Sequence, residues 1–321
     1  MVGLAVPDVI TLGETMVLFA PLEAGPLRYA RRFEMRLGGA ESNFAVGVVR
    51  LGFSAGWVSR LGDDEFGRFI YTQLRGEGVD VSRVRFDPEA PTGVFFKELG
   101  RPGGTRVYYY RRGSAASRLS PADLDEDYFA GARWLHLTGI TPALSESCRA
   151  AVEVALNLAR RHGLKVSFDP NLRLKLWPLE LARRVLVPLM GRADVVLGGH
   201  EELCLLLEKT TPEAAAEALL AAGVGIVAVK LGGEGALVMT ADFRDRVPAF
   251  PVDRVVDPVG AGDAFDAGFV AGLLLGRSLV EATRLGNACG ALMVAVTGDY
   301  EALPTLAEAE AFMAGRLPPG R

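Results

Sequence analysis

Ser147-Cys148-Arg149-Ala150-Ala151-Val152-Glu153-Val154-Ala155-Leu156-Asn157-Leu158-Ala159-Arg160-Arg161-His162 is closed by Gly163 and followed, after Leu164, by Lys165-Val166-Ser167-Phe168. The first run is an amphipathic helical pattern, and the glycine supplies the left-handed conformation that ends many helices. The second is a short β-rich run, and another, residues 134–137, precedes the helix. Strand, helix, strand in this order predicts parallel pairing, because the helix is the crossover that parallel strands need.

The same alternation extends in both directions. Residues 9–12, 56–59, 195–197 and 226–230 read as buried strands, and residues 212–222 as a helix that Thr211 caps and Gly223 ends. The expected fold class is α/β, with a mainly parallel sheet covered by helices on both faces. Two stretches, about 27–37 and 93–112, break the rhythm. In the second, alternating residues flank the turn Gly100-Arg101-Pro102-Gly103-Gly104, which reads as a β-hairpin. Such strands do not join a parallel sheet easily, so a small separate β-sheet is expected as a lid over the carboxyl ends of the main strands, where ligands bind in such folds. With no internal repeat or long linker, residues 1–321 read as a single domain with this lid.

Half of the 321 residues are hydrophobic, enough to bury a full core. A net charge of −4, with both signs dispersed, provides no field for nucleic acid or an anionic membrane and points to a small-molecule ligand. Cys148, Cys204 and Cys289 are widely spaced and are read as buried apolar residues rather than disulfides or metal ligands. His136, His162 and His200 form no metal-binding spacing, and Trp134 and Trp177 read as packing residues. The apolar run at residues 265–275 is too short to span a bilayer and carries Asp266, so a cytoplasmic protein is expected.

Chemistry enters at Gly260-Ala261-Gly262-Asp263, a small-residue turn leading into an apolar helical pattern. Its glycines leave backbone N–H groups uncovered at a helix N-terminus, which forms an anion hole. An acid at the edge of that hole suits removal of a hydroxyl proton; the alternative is a helix cap. The stretch fails the Gly-x-Gly-x-x-Gly fingerprint at Phe265, and the chain contains no Gly-x-x-x-x-Gly-Lys-Ser/Thr. A second turn, Gly38-Gly39-Ala40-Glu41-Ser42-Asn43-Phe44-Ala45, allows close approach of a ligand to the backbone and offers the Asn43 amide to hydroxyls.

These two segments, together with Arg60-Leu61-Gly62-Asp63-Asp64-Glu65-Phe66-Gly67, resemble in order and spacing the ribokinase (PfkB) family of sugar kinases. The resemblance implies a ribokinase-like fold, ATP and Mg²⁺ as cofactors, and in-line transfer of the γ-phosphoryl group to a sugar hydroxyl. Asp263 would be the catalytic base, and the N–H groups of Gly260, Ala261 and Gly262 would receive the phosphoryl group. Gly38, Gly39 and Asn43 would bind the sugar. Lys230, Gly232, Gly233, Gly235 and Asn287 would serve the nucleotide. The family's Asn-x-x-Glu motif falls on Gly199-His200-Glu201-Glu202: Glu202 would hold Mg²⁺ through water, while Gly199 departs from the usual amide or hydroxyl. A monovalent cation such as K⁺ near Asp257 is a further expectation.

Asp169-Pro170-Asn171-Leu172-Arg173 and Arg106-Val107-Tyr108-Tyr109-Tyr110-Arg111 look like the 2-keto-3-deoxygluconate kinases within this family. That substrate is a sugar acid, so its site needs donors for a carboxylate, a task suited to the arginine fork. Period two places Tyr109 and Arg111 on one face, matching the substrate positions, and Tyr108 and Tyr110 on the other, toward a dimer contact or the lid's support. Arg173 would reach substrate, phosphate or both, with Asn171 beside it. Asp299 would accept a sugar hydroxyl. Phe95 stands where a relative carries a tyrosine against substrate, which removes a hydroxyl contact. The alternatives are another sugar specificity on the same fold, such as fructokinase or ribokinase, and a non-catalytic sugar-binding regulator. The exposed lid face predicts a homo-oligomer.

Overall fold

The computed structural model describes residues 6–98, 106–296 and 298–316. The turn expected at Gly100 to Gly104 and the residue Thr297 lie outside these. From β1 (Val9–Leu12) the chain crosses to β2 (Met16–Pro21) and β3 (Phe33–Gly38), then returns for β4 (Ala55–Gly62) and β5 (Val84–Asp87). It crosses again to β6 (Val94–Glu98) and β7 (Arg106–Tyr110). The remaining strands are β8 (Trp134–Thr138), β9 (Lys165–Asp169), β10 (Val195–Gly199), β11 (Ile226–Lys230), β12 (Ala236–Met239) and β13 (Arg244–Val247).

Among the described residues, the main sheet has the order β13-β12-β11-β10-β9-β8-β1-β4-β5. Pairing is parallel from β5 through to β11 and antiparallel at β12 and β13. Period two divides each strand between two cores. Val195 and Leu197 face the helices Ala40–Arg50, Glu65–Gly76, Ala261–Leu274 and Leu279–Met293, whereas Val196 faces Glu146–His162, Leu179–Met190, His200–Leu207 and Pro212–Ala221. The expected layers are therefore present, with helices on both faces. Caps act where the sequence places polar residues: Ser145 Oγ accepts from the Cys148 N–H at 3.1 Å, so the helix begins at Glu146, one residue before the expected Ser147, and Thr211 caps the helix that begins at Pro212. Cys148 and Cys289 are buried, but Cys204 is only partly so, packing at the margin of the core beside the buried Leu203. No helix of the described residues is long and apolar enough to cross a membrane.

The second sheet has the order β3-β2-β6-β7. Two details of the expected lid are corrected. Residues 27–29 form a 3-10 turn after Pro26, so the first lid strand begins only at Phe33. The other is an additional strand, β2, which pairs antiparallel with β3 and parallel with β6. Met16, Leu18, Ala20 and Phe95 form the inner apolar face of this sheet. Phe19, Phe33, Phe96 and Tyr110 form an aromatic cluster on the other face.

The chain leaves β1 toward β4 and β5 on one side of the sheet, and β8 to β11 build the other side. The carboxyl ends of β1 and β8 therefore flank a topological switch point, the place where an open α/β sheet forms a crevice. The lid stands over that edge.

Candidate active site

A cavity of about 550 Å³ lies between the lid and the carboxyl ends of the main strands. It gathers residues from distant parts of the chain: Gly38, Gly39 and Asn43, then Phe95, Tyr109 and Arg111 of the lid, then Asn171, Arg173, Gly199 and Glu202, and finally Gly260, Gly262, Asp263 and Asp299. An adjoining cleft of about 580 Å³ shares Lys230, Gly232, Pro258 and Gly262 with it, and adds Gly233, Gly235, Ala261 and Asn287. Each residue expected from sequence to serve catalysis, the sugar or the nucleotide lines one of these two spaces, whereas Asp257 and residues 60–67 do not.

Asp263 lies in the first turn of the helix Ala261–Leu274. Gly260 precedes that helix with φ +82°, and a Cβ there would come within 2.3 Å of the Asp299 carbonyl oxygen, so the turn admits no side chain. The first-turn N–H groups of Gly262 and Asp263 have no intrahelical partner to accept them. Asn43, at the start of the neighbouring helix Ala40–Arg50, donates its amide N–H to Asp263 Oδ2 at 2.8 Å. The two helix starts thus meet across the cavity. Asp263 keeps an opening to the cavity but is surrounded by protein atoms. That burial pushes its carboxyl pKa up to about 7; the Asn43 hydrogen bond, Lys230 and Arg173 act against the rise, and the Asp169 charge adds to it. A carboxyl poised there is matched to base chemistry near neutral pH.

At the lid end, Tyr109 stacks on Phe95 with ring centroids 5.6 Å apart, and the Arg111 guanidinium lies 5.7 Å from the Tyr109 ring centre. Arg111 is also tied down from behind. Its Nε donates to Glu14 Oε2 at 2.6 Å, and Ser114 donates to the other carboxylate oxygen. Glu14 is fully buried, so the arginine carries its own counter-charge into the site. Arg173 is exposed along the cavity rim, close enough for its charge to act on Asp263.

On the side of the adjoining cleft, Lys230 Nζ is held by Asp169 Oδ2 and Asp266 Oδ1, each at 3.0 Å. Asn287 donates to the carbonyls of Val247 and Pro248, fixing the loop whose Phe250, Val252 and Val255 line the cleft together with Ala291 and Val294. This apolar slot has the character of a site for a flat heterocycle. Asn171, at φ +36°, starts the bend that carries Arg173 to the rim. Glu202 receives the N–H groups of Gly199 and Leu172, both at 2.7 Å, so each of its oxygens already holds the strand end and the bend in place. Among the described residues no cluster of acidic, histidine or cysteine side chains is set to enclose a metal ion. Glu202, which lines the cavity, is the carboxylate that could meet a Mg²⁺-bound water.

Several contributors were not anticipated. Glu14 and Lys97 line the cavity under the lid as single charges in apolar surroundings, which sequence alone does not distinguish from solvated ones. Residues 249–255 carry no period at all. The segment at residues 60–67 does structural work: Asp64 caps the helix Glu65–Gly76 through the Gly67 N–H and accepts the Thr92 N–H at 2.8 Å, anchoring the base of β6.

The model of the pfkB family of carbohydrate kinases matches residues 6–306, and the chain belongs to that family. It is 43% identical over 311 residues to the 2-dehydro-3-deoxygluconokinase of Bacillus subtilis (strain 168), covering 96% of each chain. Identity to the Thermoproteus tenax 2-dehydro-3-deoxygluconokinase is 41% over 313 residues, covering 95% of this chain and 94% of that protein. Among solved structures, an E. coli protein described as ribokinase II, in complex with ATP and Mg²⁺, superposes with a TM-score of 0.90 at 31% identity. That match covers 96% of this chain and 99% of the other. Fructokinases are also among its relatives.

A carboxyl whose pKa is higher in the folded chain than in the unfolded one costs stability. The cost begins above the unfolded value of 3.8, grows with pH and is complete above about 7. Asp263→Asn is therefore expected to raise the melting temperature, by more at pH 8 than at pH 5. Thermal melts at the two pH values measure this, and equal or negative shifts would contradict the burial argument.

Proposed function

We propose that this protein phosphorylates 2-keto-3-deoxygluconate at its 6-hydroxyl with ATP, giving the 6-phosphate and ADP. The observation that carries the reading is Asp263, held by Asn43 at 2.8 Å beside unfilled helix N–H groups, with the Arg111 and Arg173 guanidiniums lining the same cavity. Asp263 takes the hydroxyl proton as the sugar oxygen bonds to the γ-phosphorus; the bond from that phosphorus to the β–γ bridging oxygen breaks and ADP leaves. The N–H groups of the Gly260 turn and the helix dipole bind the charge on the transferring group. Mg²⁺, when bound with the nucleotide, neutralises phosphate charge. Tyr109, Arg111 and Arg173 bind the carboxylate end of the sugar acid, and Gly38, Gly39 and Asn43 its hydroxyl side. The similarity to the two 2-dehydro-3-deoxygluconokinases supports this choice of substrate. We further propose one kinase domain spanning residues 1–321, working in the cytoplasm.

A second reading, a kinase of neutral sugars such as fructose, draws on the Glu14–Arg111 pair, which already supplies that arginine with an anion. ADP release measured across acidic and neutral sugars separates the two. Higher kcat/KM for the sugar acid is expected, and a preference for neutral sugars would overturn the substrate assignment.

A general base contributes about 10²–10⁴-fold, so Asp263→Asn should lose turnover on that scale while still binding ATP; turnover near the wild-type level would remove Asp263 from its role. Because the base acts ionised, kcat/KM should rise with pH through an apparent pKa of about 7. Asn43→Ala removes a hydrogen bond that favours the ionised form, so that limb should move to higher pH.

We also propose that the aromatic outer face of the lid joins two copies of the chain. Phe33 and Phe96 lie beside Tyr110, which is 67% exposed, and Met35, which is 40% exposed. Sedimentation should give a dimer that Tyr110→Asp weakens, and a wild-type monomer at micromolar concentration would refute it.

A further inference from the structure

Lys97 is among the largest side chains that are fully out of solvent, and it sits in a lid strand. Period two on β6 turns Phe96 to the outer face, and Phe95 and Lys97 inward over the cavity. The ammonium lies 3.0 Å from Asp257 Oδ2 and 2.5 Å from Asp299 Oδ1. The three side chains are 2%, 4% and 6% exposed, so neither carboxylate has water to fall back on. Burial opposes the charge of Lys97, but the Asp299 and then the Asp257 carboxylates outweigh it and hold the ammonium above its ordinary pKa. Burial likewise raises the Asp299 carboxyl pKa, with Lys97 acting to lower it.

Each carboxylate is attached to a part of the site. Asp257 Oδ1 accepts the Val259 N–H at 3.1 Å, inside the turn that leads to Gly260. The Asp299 carbonyl oxygen lies against Gly260, and its Oδ2 so close to Gly38 that a Cβ there would be 2.4 Å away. One ammonium therefore joins the lid, the anion-hole turn and the wall of the sugar cavity. A pair of buried carboxylates is ionised together only with a cation between them. The place near Asp257 where family resemblance leads one to expect a monovalent ion such as K⁺ is thus already served by a side chain.

We propose that the Lys97 ammonium is a tethered monovalent cation for the Asp257–Asp299 carboxylate pair, a positioning residue that fixes the Gly260 turn without a free K⁺ ion. The effect on turnover rests on the kinase reading; the identity of the cation does not.

The test replaces KCl by tetramethylammonium chloride at constant ionic strength, with the full-length protein. Wild-type kcat and melting temperature should be the same in both salts. Lys97→Ala in tetramethylammonium should melt lower and lose kcat by roughly 10²-fold, the scale of a small misplacement of a catalytic group, with a smaller change in KM for ATP. Added K⁺ or NH₄⁺ should restore both kcat and melting temperature saturably, a rescue that a packing role would not produce. Should Lys97→Ala fail to fold in either salt, Lys97→Ser carries the same comparison, because it too leaves the ammonium's place open to an ion. Several-fold K⁺ activation of the wild type would overturn the proposal. So would full activity of the variant in tetramethylammonium, or a folded variant that no small cation stabilises or activates. The melting arm needs no substrate, so an absence of sugar kinase activity would leave it readable.

Discussion

The contact on which the arrangement depends is the one between the Lys230 ammonium and two carboxylates, Asp169 and Asp266. Lys230 ends β11, Asp169 ends β9, and Asp266 belongs to the helix whose first turn carries Asp263. Burial alone would strip the charge from that lysine; Asp169 first, and Asp266 after it, reverse the balance and raise its pKa. Because removing one member leaves a buried charge unpaired, the helix is keyed to the sheet at this point. The position of the anion hole is thus settled by an ion pair beneath it.

The same cluster sets the proton affinity of the base. Asp169 raises it, Lys230 and Arg173 lower it, and burial exceeds each of them. Asn43 then holds one carboxylate oxygen from the neighbouring helix. The fold accepts a destabilised carboxylate at the spot where chemistry needs one, an exchange of stability for function seen at many active sites.

How far this could be read beforehand follows from what each residue requires of its neighbours. Gly260 was legible because a backbone conformation closed to side chains marks the sequence directly. Tyr109 and Arg111 were legible because alternation along β7 is a local property, and the parallel sheet because its helices carry their own caps. By contrast, β2 follows β1 after only Gly13, Glu14 and Thr15, so its apolar run looks like more of the same strand although it belongs to the other sheet. Glu14 and Lys97 escaped because their partners are remote: Asp257 and Asp299 are 160 and 202 positions from Lys97, and Ser114 is 100 from Glu14. The counter-charge behind Arg111 was hidden for the same reason, and it alters the chemistry expected of that arginine.

The threading of the chain between its two sheets bears on how the protein is made. β2 and β3 leave the ribosome before β4 and β5, yet their lid partner β6 comes only afterwards. The first half of the lid must wait, with its apolar inner residues Met16, Leu18 and Ala20 lacking Phe95. Closing that long loop precedes any reward from pairing, which makes lid completion a late and slow event in folding. During synthesis, this waiting pair of strands is the segment most in need of shielding from other nascent chains.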